Sequence, residues 1–203
     1  MATQYGGYMG KILKIDLTTK EVSEYPFSDR ERELFIGGKT MAAKILGDHL
    51  KGTEKAFSTE NLLVITTGPL TGTGAPSASR FNISTLSPQT GYITSSNCGG
   101  HFGYYLKKAG LDALILTGPC EERTWIEIQN DSVKFHNADD LWGMKTTRTQ
   151  EALDEKFRMK NGRVRKNGKI CIGPAGENMV LYSSIVSNDR VSGRGGTGAV
   201  MGW

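Results

Sequence analysis

The chain is organised around the run Gly68-Pro69-Leu70-Thr71-Gly72-Thr73-Gly74-Ala75-Pro76-Ser77-Ala78-Ser79-Arg80-Phe81-Asn82. Glycine, proline and small hydroxyl residues in this order predict the end of a strand followed by a loop, which Arg80 closes. Backbone N–H groups in such a loop can face an anionic ligand, because glycine leaves the backbone accessible. We therefore interpret residues 68–82 as a binding site and not merely as a turn.

A second run near the C-terminus repeats the order of the first. Ile170-Cys171-Ile172 leads to Gly173-Pro174-Ala175-Gly176, and one predicted strand later comes Arg190-Val191-Ser192-Gly193-Arg194-Gly195-Gly196. In the first half, Gly68-Pro69 is likewise followed, after a strand and a polar turn, by Asn97-Cys98-Gly99-Gly100. The pattern indicates either a weak internal duplication that presents two glycine-rich anion sites, or coincidence in a chain with 26 glycines. The residues alone leave both interpretations open.

Length and composition indicate one globular domain, residues 1–203. The chain is long enough for a sizeable core, with 37% hydrophobic and 8% aromatic residues. No apolar stretch approaches the roughly 20 residues that span a bilayer, and the N-terminus lacks the layout of a signal peptide. We therefore expect no membrane association and a cytoplasmic location.

The formal net charge of +4 does not by itself indicate a nucleic-acid partner. A nucleic-acid surface would show a basic stripe interleaved with aromatic residues, and the sequence has none. The basic residues cluster only in a segment with the composition of a loop, which we interpret as a solvated insertion. The cluster comprises Arg158, Lys160, Arg163, Arg165, Lys166 and Lys169.

Cysteine and histidine do not have the spacing of a metal site. The cysteines are too few and too far apart for a disulfide framework, a zinc ribbon or a four-thiolate cluster. Any iron–sulfur cluster must therefore be held by other residues or another chain, and a protein-ligated catalytic metal is not expected. The residues concerned are Cys98, Cys120, Cys171, His49, His101 and His136.

Hydrophobic periodicity predicts both helices and strands. The predicted helices cover residues 29–50, interrupted at Gly37-Gly38, and residues 104–109 and 146–157. The predicted strands cover residues 12–15, 22–25, 62–66, 81–86, 92–95, 113–116, 125–128, 133–136, 169–172 and 180–186, with a turn at Asn130-Asp131. No GxGxxG lies at dinucleotide-fold spacing. We expect an α+β domain of two intertwined pseudo-symmetric halves, with mostly antiparallel sheets and a few helices.

The motifs along the chain resemble the N-terminal domain of the aldehyde ferredoxin oxidoreductase family. The similarity extends from Gly7 to Gly202, and several long motifs match in the same order, which chance does not explain. The motifs are Gly68-Pro69-Leu70-Thr71-Gly72, Arg80-Phe81-Asn82, Ser87-Pro88, Asn97-Cys98-Gly99-Gly100, Ala109-Gly110, Gly173-Pro174-Ala175-Gly176-Glu177-Asn178, Gly193-Arg194-Gly195-Gly196 and Gly198-Ala199-Val200-Met201-Gly202.

The resemblance implies a domain that binds a tungsten, or sometimes molybdenum, atom held by the dithiolenes of two pterins, whose phosphates are bridged by Mg²⁺. It also implies that the Asn97 side-chain oxygen and the Val191 carbonyl are the magnesium ligands, which suits the preference of Mg²⁺ for hard oxygen donors. Arg80 matches a family arginine between the pterin and an iron–sulfur cluster. The remaining implied cofactor-binding residues are Gly99, Gly100, Arg190, Ser192, Gly193, Arg194, Gly195 and Gly196.

The activity that the resemblance implies is oxidation of an aldehyde to a carboxylic acid, with electrons passing through a 4Fe-4S cluster to ferredoxin. The cluster ligands and the acid/base residues belong to later domains of the family, so no catalytic residue can be named here. This chain alone is expected to be incomplete for turnover. Its expected partners are the remainder of the enzyme or a chain carrying those ligands, ferredoxin, and further copies in a homo-oligomer.

Two departures from the family pattern and two rival functions accompany this interpretation. Cys98 replaces a small hydroxyl residue, and we interpret it as a size-tolerated substitution and not as a metal ligand. Trp203 stands where the family has a small residue. The rivals are a non-catalytic chain that binds pterin or completes a partner's site, and a nucleotide-phosphate binder suggested by the glycine loops alone.

Overall fold

The computed structural model describes residues 3–130 and 132–203 and shows an α+β domain. Among these residues no helix has the length and apolar character that crossing a bilayer requires. The strands are β1 (Ile12–Asp16), β2 (Val22–Glu24), β3 (Leu62–Thr67), β4 (Phe81–Leu86), β5 (Ile93–Cys98), β6 (Ala113–Thr117), β7 (Thr124–Gln129), β8 (Ser132–Asn137), β9 (Ile185–Ser187) and β10 (Arg190–Ser192). The helices are α1 (Asp29–Phe35), α2 (Gly38–His49), α3 (Phe102–Lys108), α4 (Thr146–Lys156), α5 (Pro174–Glu177) and α6 (Thr197–Gly202).

The central sheet has six strands in the order β2-β1-β6-β3-β4-β5. Only β1 and β6 run parallel, and every other neighbouring pair is antiparallel. Two antiparallel ribbons, β7–β8 and β9–β10, complete the strands of the described chain. The predicted α+β class with mostly antiparallel sheets and a few helices is confirmed.

Alternating residues of the central sheet supply two apolar layers, because successive strand side chains point to opposite faces. On one face, Val64 and Ile115 pack with Met41, Ile45 and Leu46 of α2, and all five side chains are fully buried. The other face is larger and is covered by α3, α6 and the β7–β8 ribbon. Its core residues include Leu63, Ile65, Leu114 and Leu116.

The break at Gly37-Gly38 between α1 and α2 is confirmed, and the structure supplies its cause. A Cβ on Gly37 would lie 2.7 Å from the Thr67 carbonyl oxygen and 3.0 Å from the Gly68 Cα. No side chain fits there, so the helix start packs directly on the beginning of the glycine-rich run. The glycine pair therefore both separates the two helices and permits this close approach.

A buried ion pair fixes the N-terminal segment to α3 and β6. Lys107 and Asp112 are 4% and 1% exposed, and Lys107 Nζ donates to Asp112 Oδ1 at 2.5 Å. The Asp112 carboxylate also accepts hydrogen bonds from the Met9 and Gly10 N–H groups, and Lys107 Nζ donates to the Gly7 carbonyl. Because a buried charge needs such satisfaction, this cluster has a structural role.

Two predicted strands in the second half are wrong. Residues 169–172 form only one isolated bridge, between Cys171 and Val186. Residues 180–184 form a turn, and the strand begins only at Ile185. In residues 180–184 the backbone instead bonds to the neighbouring helices. The Val180 N–H donates to the Ala175 carbonyl of α5, and the Gly198 N–H of α6 donates to the Ser183 carbonyl.

Other boundaries shift by small amounts. Strand β5 continues to Cys98, beyond the predicted end at residue 95, because β4 supplies a hydrogen-bonding partner along its full length. Helix α3 begins at Phe102, two residues before the predicted start. Part of the predicted Asn130-Asp131 turn, residue Asp131, lies outside the described residues.

We expect the stability of the domain to fall between pH 9 and pH 11 because of Cys171. Burial raises the pKa of the Cys171 thiol from 9.0 to about 11, against a smaller lowering effect of Lys169. A raised folded-state pKa contributes stability that is present below pH 9 and lost as the pH rises through 11, here about 2–3 kcal/mol. Urea unfolding at pH 8 and pH 10.5 would measure most of this loss, about 2 kcal/mol, because the folded-state thiol is not yet half ionised at pH 10.5.

The matched variants for this pH experiment are Cys171→Ala and Cys120→Ala. Cys120 is only partly buried, so its replacement should leave the pH dependence as in the wild type. Cys171→Ala should reduce the loss of unfolding free energy between pH 8 and pH 10.5 by about 2 kcal/mol. An unchanged slope in Cys171→Ala would mean that other groups cause the alkaline loss.

Candidate functional site

Strands β4 and β5 bring Arg80, Asn82, Asn97 and Gly99 to one end of the central sheet. Their register places Phe81 opposite Cys98 and Asn82 opposite Asn97. Arg80 immediately precedes β4 and Gly99 immediately follows β5, so the loop of the first glycine-rich run and the Gly99-Gly100 pair meet here. The hydroxyl of Thr71, within the run, donates to the Arg80 carbonyl at 2.9 Å and holds the two ends of the loop together.

The C-terminal run joins the same end of the sheet. The Arg194 N–H donates to the Ser96 hydroxyl of β5 at 3.2 Å. A Cβ on Gly99 would lie 3.6 Å from the Arg190 Cγ, so the Arg190 side chain crosses directly over Gly99. The structure therefore brings together Arg80, Asn97, Gly99 and Arg190, which are far apart in the sequence.

Three glycines near the end of β5 are required by close contacts between chain segments. Gly100, Gly195 and Gly196 have φ values of +91°, +72° and +70°, where other residues are strained. A Cβ on Gly195 would lie 1.9 Å from Thr94 Oγ1, and one on Gly196 would lie 1.9 Å from the Leu181 carbonyl oxygen. These two glycines thus allow the C-terminal loop to dock closely against β5 and residue 181.

Asn97 is fixed by a polar network that the sequence did not reveal. Asn82 Nδ2 donates to Asn97 Oδ1 at 2.9 Å and to the Ser95 hydroxyl at 2.7 Å, and Asn82 Oδ1 accepts from the Ser84 hydroxyl at 2.6 Å. Asn97 is exposed, whereas Asn82 is 1% exposed. Because a carbonyl oxygen has two lone pairs, Asn97 Oδ1 retains one for an external partner. Asn82 belongs to the run at residues 68–82 and to the Arg80-Phe81-Asn82 motif, but neither pattern indicated that its side chain positions Asn97.

The Val191 carbonyl also points to an open side of its ribbon. Val186, its partner in the register, exchanges both backbone hydrogen bonds with Cys171. In an antiparallel pair such a residue cannot also bond to the residue opposite, so Val191 is in a non-hydrogen-bonded position. Its N–H and C=O therefore face away from β9. An oxygen donor of this kind and Asn97 Oδ1 suit a hard divalent cation.

The charge at this end of the sheet is positive. Arg80, Arg190 and Arg194 are all exposed. In the described part of the chain, no carboxylate is within ion-pair distance of any of the three guanidiniums. Unpaired arginines next to free backbone N–H groups favour an anion with several oxygens, such as a phosphate.

Cys98 lies among these charges but is not a thiolate. Burial raises its pKa, and this effect exceeds the lowering caused by the Gly99 N–H and by Arg80 and Arg190. Both guanidiniums are therefore close enough to act on the same sulfur. Nor does the described chain contain a group of three or more Cys, His, Asp or Glu residues that could hold a metal.

Two buried hydroxyls beside the site have no hydrogen-bond partner among the described residues. Ser187 and Ser192, on β9 and β10, are both 0% exposed. The Ser187 hydroxyl lies 3.1 Å from where a Cβ of Gly100 would be. Since buried polar groups are normally satisfied, this region has capacity for further polar contacts, such as ordered water.

A family model described as "Aldehyde ferredoxin oxidoreductase, N-terminal domain" matches residues 12–203. The chain belongs to the aldehyde ferredoxin oxidoreductase family. It is an N-terminal domain of this oxidoreductase family, as the resemblance indicated. Its place in the family agrees with the site, because three motifs that carry the resemblance meet at the end of β5: Arg80-Phe81-Asn82, Asn97-Cys98-Gly99-Gly100 and Gly193-Arg194-Gly195-Gly196.

Individual relatives extend this finding. The chain is 39% identical to the tungsten-containing aldehyde ferredoxin oxidoreductase of Pyrococcus abyssi, over 97% of this chain and 32% of that protein. It is 38% identical to the enzyme of the same name from Thermococcus kodakarensis, over 98% of this chain and 32% of that protein. The aliphatic sulfonate oxidoreductase WOR-like subunit of Pyrococcus furiosus is 34% identical, over 96% of this chain and 33% of that protein.

A solved structure has the same fold. It is the active site complex BamBC of benzoyl coenzyme A reductase with 1,5-dienoyl-CoA, with a TM-score of 0.90 and 36% identity over 97% of this chain and 29% of that chain. The chain spans about a third of the length of the curated relatives it matches. Family membership and fold are shared with relatives whose names give different substrates.

Proposed function

We propose that this chain is the cofactor-binding domain of a tungsten, or molybdenum, bis-pterin oxidoreductase that oxidises aldehydes to carboxylic acids with ferredoxin as the electron acceptor. The observation that carries the proposal is the convergence of Arg80, Asn97 and residues 190–196 at one end of β5. Tungsten appears in the names of several relatives. When bound, the metal and its pterins supply the redox chemistry.

The residues at the site fit the polar end of such a cofactor. Arg80, Arg190 and Arg194 would neutralise pterin phosphates, since they have no carboxylate partner in the described chain. Asn97 Oδ1 and the Val191 carbonyl would hold a magnesium ion, which would neutralise phosphate charge. The backbone N–H groups of Gly99, Gly100, Gly193, Gly195 and Gly196 would surround the phosphate oxygens. Ser192 directs its N–H to β9, so it would contribute through its hydroxyl, which has no partner among the described residues.

The protein's part in the reaction is therefore to bind and orient. The glycine contacts make the site rigid, because Gly195 and Gly196 dock where no side chain fits. The Asn82 network fixes the direction of Asn97 Oδ1 before any ion arrives. A preorganised donor set reduces the cost of ordering on binding. A 4Fe-4S cluster, ferredoxin contacts and a homo-oligomer belong to the same proposal. The ligands of the cluster would come from polypeptide other than these 203 residues.

A chimera tests the proposal in a full-length context. Residues 1–203 would replace the N-terminal third of the Pyrococcus abyssi relative, and the product would be expressed with tungstate in a host that makes the pterin. We expect one tungsten and two pterins per chain, with aldehyde-dependent reduction of a viologen dye. A folded chimera with neither metal nor pterin would refute cofactor binding.

The chimera also separates the rival functions. Bound cofactor with no aldehyde oxidation would favour the alternative of a non-catalytic or partner-completing pterin-binding chain. A related substrate class is the second possibility, because a 34% identical relative is named for aliphatic sulfonate. Dye reduction with an aliphatic sulfonate, and none with aldehydes, would support it.

Replacing Asn97 should weaken cofactor retention through magnesium. We expect Asn97→Ala to release pterin about tenfold faster than the wild type, since one oxygen ligand contributes on the order of 1–2 kcal/mol. Excess Mg²⁺ should slow the release in the wild type but much less in the variant. Pterin fluorescence during dialysis against a chelator measures the rate, and Asn161→Ala, an exposed loop asparagine, is the control. Equal rates in the two variants would exclude Asn97 as a ligand.

A further inference from the structure

Residues 157–166 form a short β-hairpin, which we call the basic hairpin. The Arg165 N–H donates to the Phe157 carbonyl at 3.0 Å, and the Met159 N–H donates to the Arg163 carbonyl at 2.8 Å. Most of its residues are exposed, as expected of a solvated insertion, but its backbone is paired. Its side chains are therefore presented in a defined arrangement.

The basic hairpin carries five cationic residues and no acidic residue. Arg158 pairs with Glu155 of α4, and Arg165 pairs with Glu127 of β7. The other three cations are exposed and have no carboxylate within ion-pair distance in the described chain. They are Lys160, Arg163 and Lys166. Because like charges held close together repel each other, a surface of opposite charge would stabilise this arrangement.

The base of the basic hairpin is fixed to the ribbon beside it. The Arg165 guanidinium donates to Glu127 Oε1 at 3.3 Å and lies 5.1 Å from the centre of the Phe157 ring. This arginine is therefore used within the domain. Lys160 and Arg163 lie nearer the turn, where they face solvent and remain available to a partner.

The composition of the turn favours a protein partner. Met159 is 43% exposed and lies opposite Arg163, and methionine and arginine are both enriched in protein interfaces. Phe157, the only aromatic residue of the hairpin, is half-buried, so no exposed ring is available to stack on a base. A single exposed methionine is also too little apolar surface for insertion into a membrane.

The chain that follows the basic hairpin packs on the elements that carry Arg80. A Cβ on Gly168 would lie 2.8 Å from the Phe102 Cα of α3. The Phe102 ring lies 5.2 Å from the ring of Phe81, and a Cβ on Gly103 would lie 3.5 Å from the Arg80 carbonyl oxygen. Helix α3 therefore separates the basic hairpin from the candidate site by one layer of residues.

We propose that the basic hairpin is the docking surface for a protein electron carrier that presents a patch of carboxylates. Lys160, Arg163 and Lys166 make the ionic contacts, and Met159 supplies the apolar contact between them. The inference rests on the proposed redox function, which requires a protein electron acceptor, and it adds where that acceptor binds. Unpaired cations attract an acidic carrier over roughly 8–10 Å and so raise the rate of association.

Binding of a ferredoxin with net negative charge to the chimera described above tests the proposal. The variant is Lys160→Gln, Arg163→Gln and Lys166→Gln. At low ionic strength we expect its Kd for oxidised ferredoxin to be at least about tenfold higher than that of the unmutated chimera, and added salt should shrink the difference. In turnover, kcat/KM for ferredoxin should fall by a similar factor, whereas the rate of viologen reduction should stay within about twofold.

The matched control removes the same charge elsewhere. It is Lys51→Gln, Lys55→Gln and Lys145→Gln, since these lysines are also exposed and have no carboxylate within ion-pair distance in the described chain. We expect less than about a twofold change in Kd. Urea unfolding should give all three proteins similar midpoints, because every substituted side chain is exposed.

The binding measurement needs no catalytic activity, so its result is independent of the proposed function. Equal Kd values for the two triple variants, or no ferredoxin binding by the unmutated chimera, would overturn the docking proposal even if viologen is reduced. Tighter binding to a DNA duplex or to phosphatidylserine vesicles than to ferredoxin would overturn it as well. Weaker ferredoxin binding confined to the basic-hairpin variant, in a chimera without aldehyde oxidation, would support the docking surface and contradict the proposed activity.

Discussion

Gly196→Ala is expected to destabilise the domain by about 4 kcal/mol or more, a large share of the 5–15 kcal/mol typical of folded domains. The new Cβ would lie 1.9 Å from the Leu181 carbonyl oxygen and 3.0 Å from the Pro88 Cγ, and φ is +70°. A backbone oxygen cannot rotate away as a side chain can. Residue 181 and the C-terminal loop must therefore separate, and the Arg194 contact with Ser96 would be lost with them.

Two matched variants divide this effect into its causes. Gly110→Ala has a φ of +83° and nothing within 4 Å of the new Cβ, so it should show only the backbone strain, about 1–2 kcal/mol. Gly74→Ala has open space and no positive φ, and should change stability by less than about 0.5 kcal/mol. Urea unfolding of the three variants measures the differences. A Gly196→Ala variant no less stable than Gly110→Ala would show that the loop does not dock as described.

The triple variant Arg80→Gln, Arg190→Gln and Arg194→Gln is expected to lose the cofactor. Hydrogen bonds to charged groups contribute about 1.5–3 kcal/mol each, and the lower value for three exposed guanidiniums corresponds to about a thousandfold in affinity. Tungsten and pterin per chain, measured in the chimera, should fall below detection. The midpoint of urea unfolding should stay close to that of the wild type, because these side chains are exposed.

The control for charge is Arg30→Gln, Arg148→Gln and Arg158→Gln. These arginines are also exposed, and each is paired with a glutamate away from the site. The control lowers the net charge by the same amount, so a difference between the triple variants reports position and not total charge. Full cofactor content in the first triple variant would contradict the proposed phosphate contacts.

Much of the fold follows from local patterns in the sequence. The strands Leu62–Thr67 and Ala113–Thr117 begin with four consecutive apolar residues, which predict buried strands whatever their neighbours are. The break between α1 and α2 is indicated by Gly37-Gly38. The same logic failed at residues 180–184, because hydrogen bonds from α5 and α6 take up the backbone that a strand would need.

The candidate site, like the fold, was only partly predictable from the sequence. Residue type alone indicated Arg80, Asn97 and the glycine runs as candidates, because guanidinium groups and accessible backbone N–H groups recognise anions. The role of Asn82 could not be predicted from its place in the Arg80-Phe81-Asn82 motif, since that role depends on lying opposite Asn97 across β4 and β5. The glycines were expected to leave room for a ligand, and Gly195 and Gly196 instead leave room for Thr94 and for the backbone at Leu181.

The sequence by itself determined the apolar strands, the glycine-rich loops and the arginines that close them, because these depend on backbone freedom and side-chain chemistry within a few residues. Only the tertiary structure decided that Arg80, Asn97 and Arg190 share one end of the sheet. Proximity between distant segments depends on strand register and on which backbone groups are already paired, and neither is encoded in any single stretch of the chain.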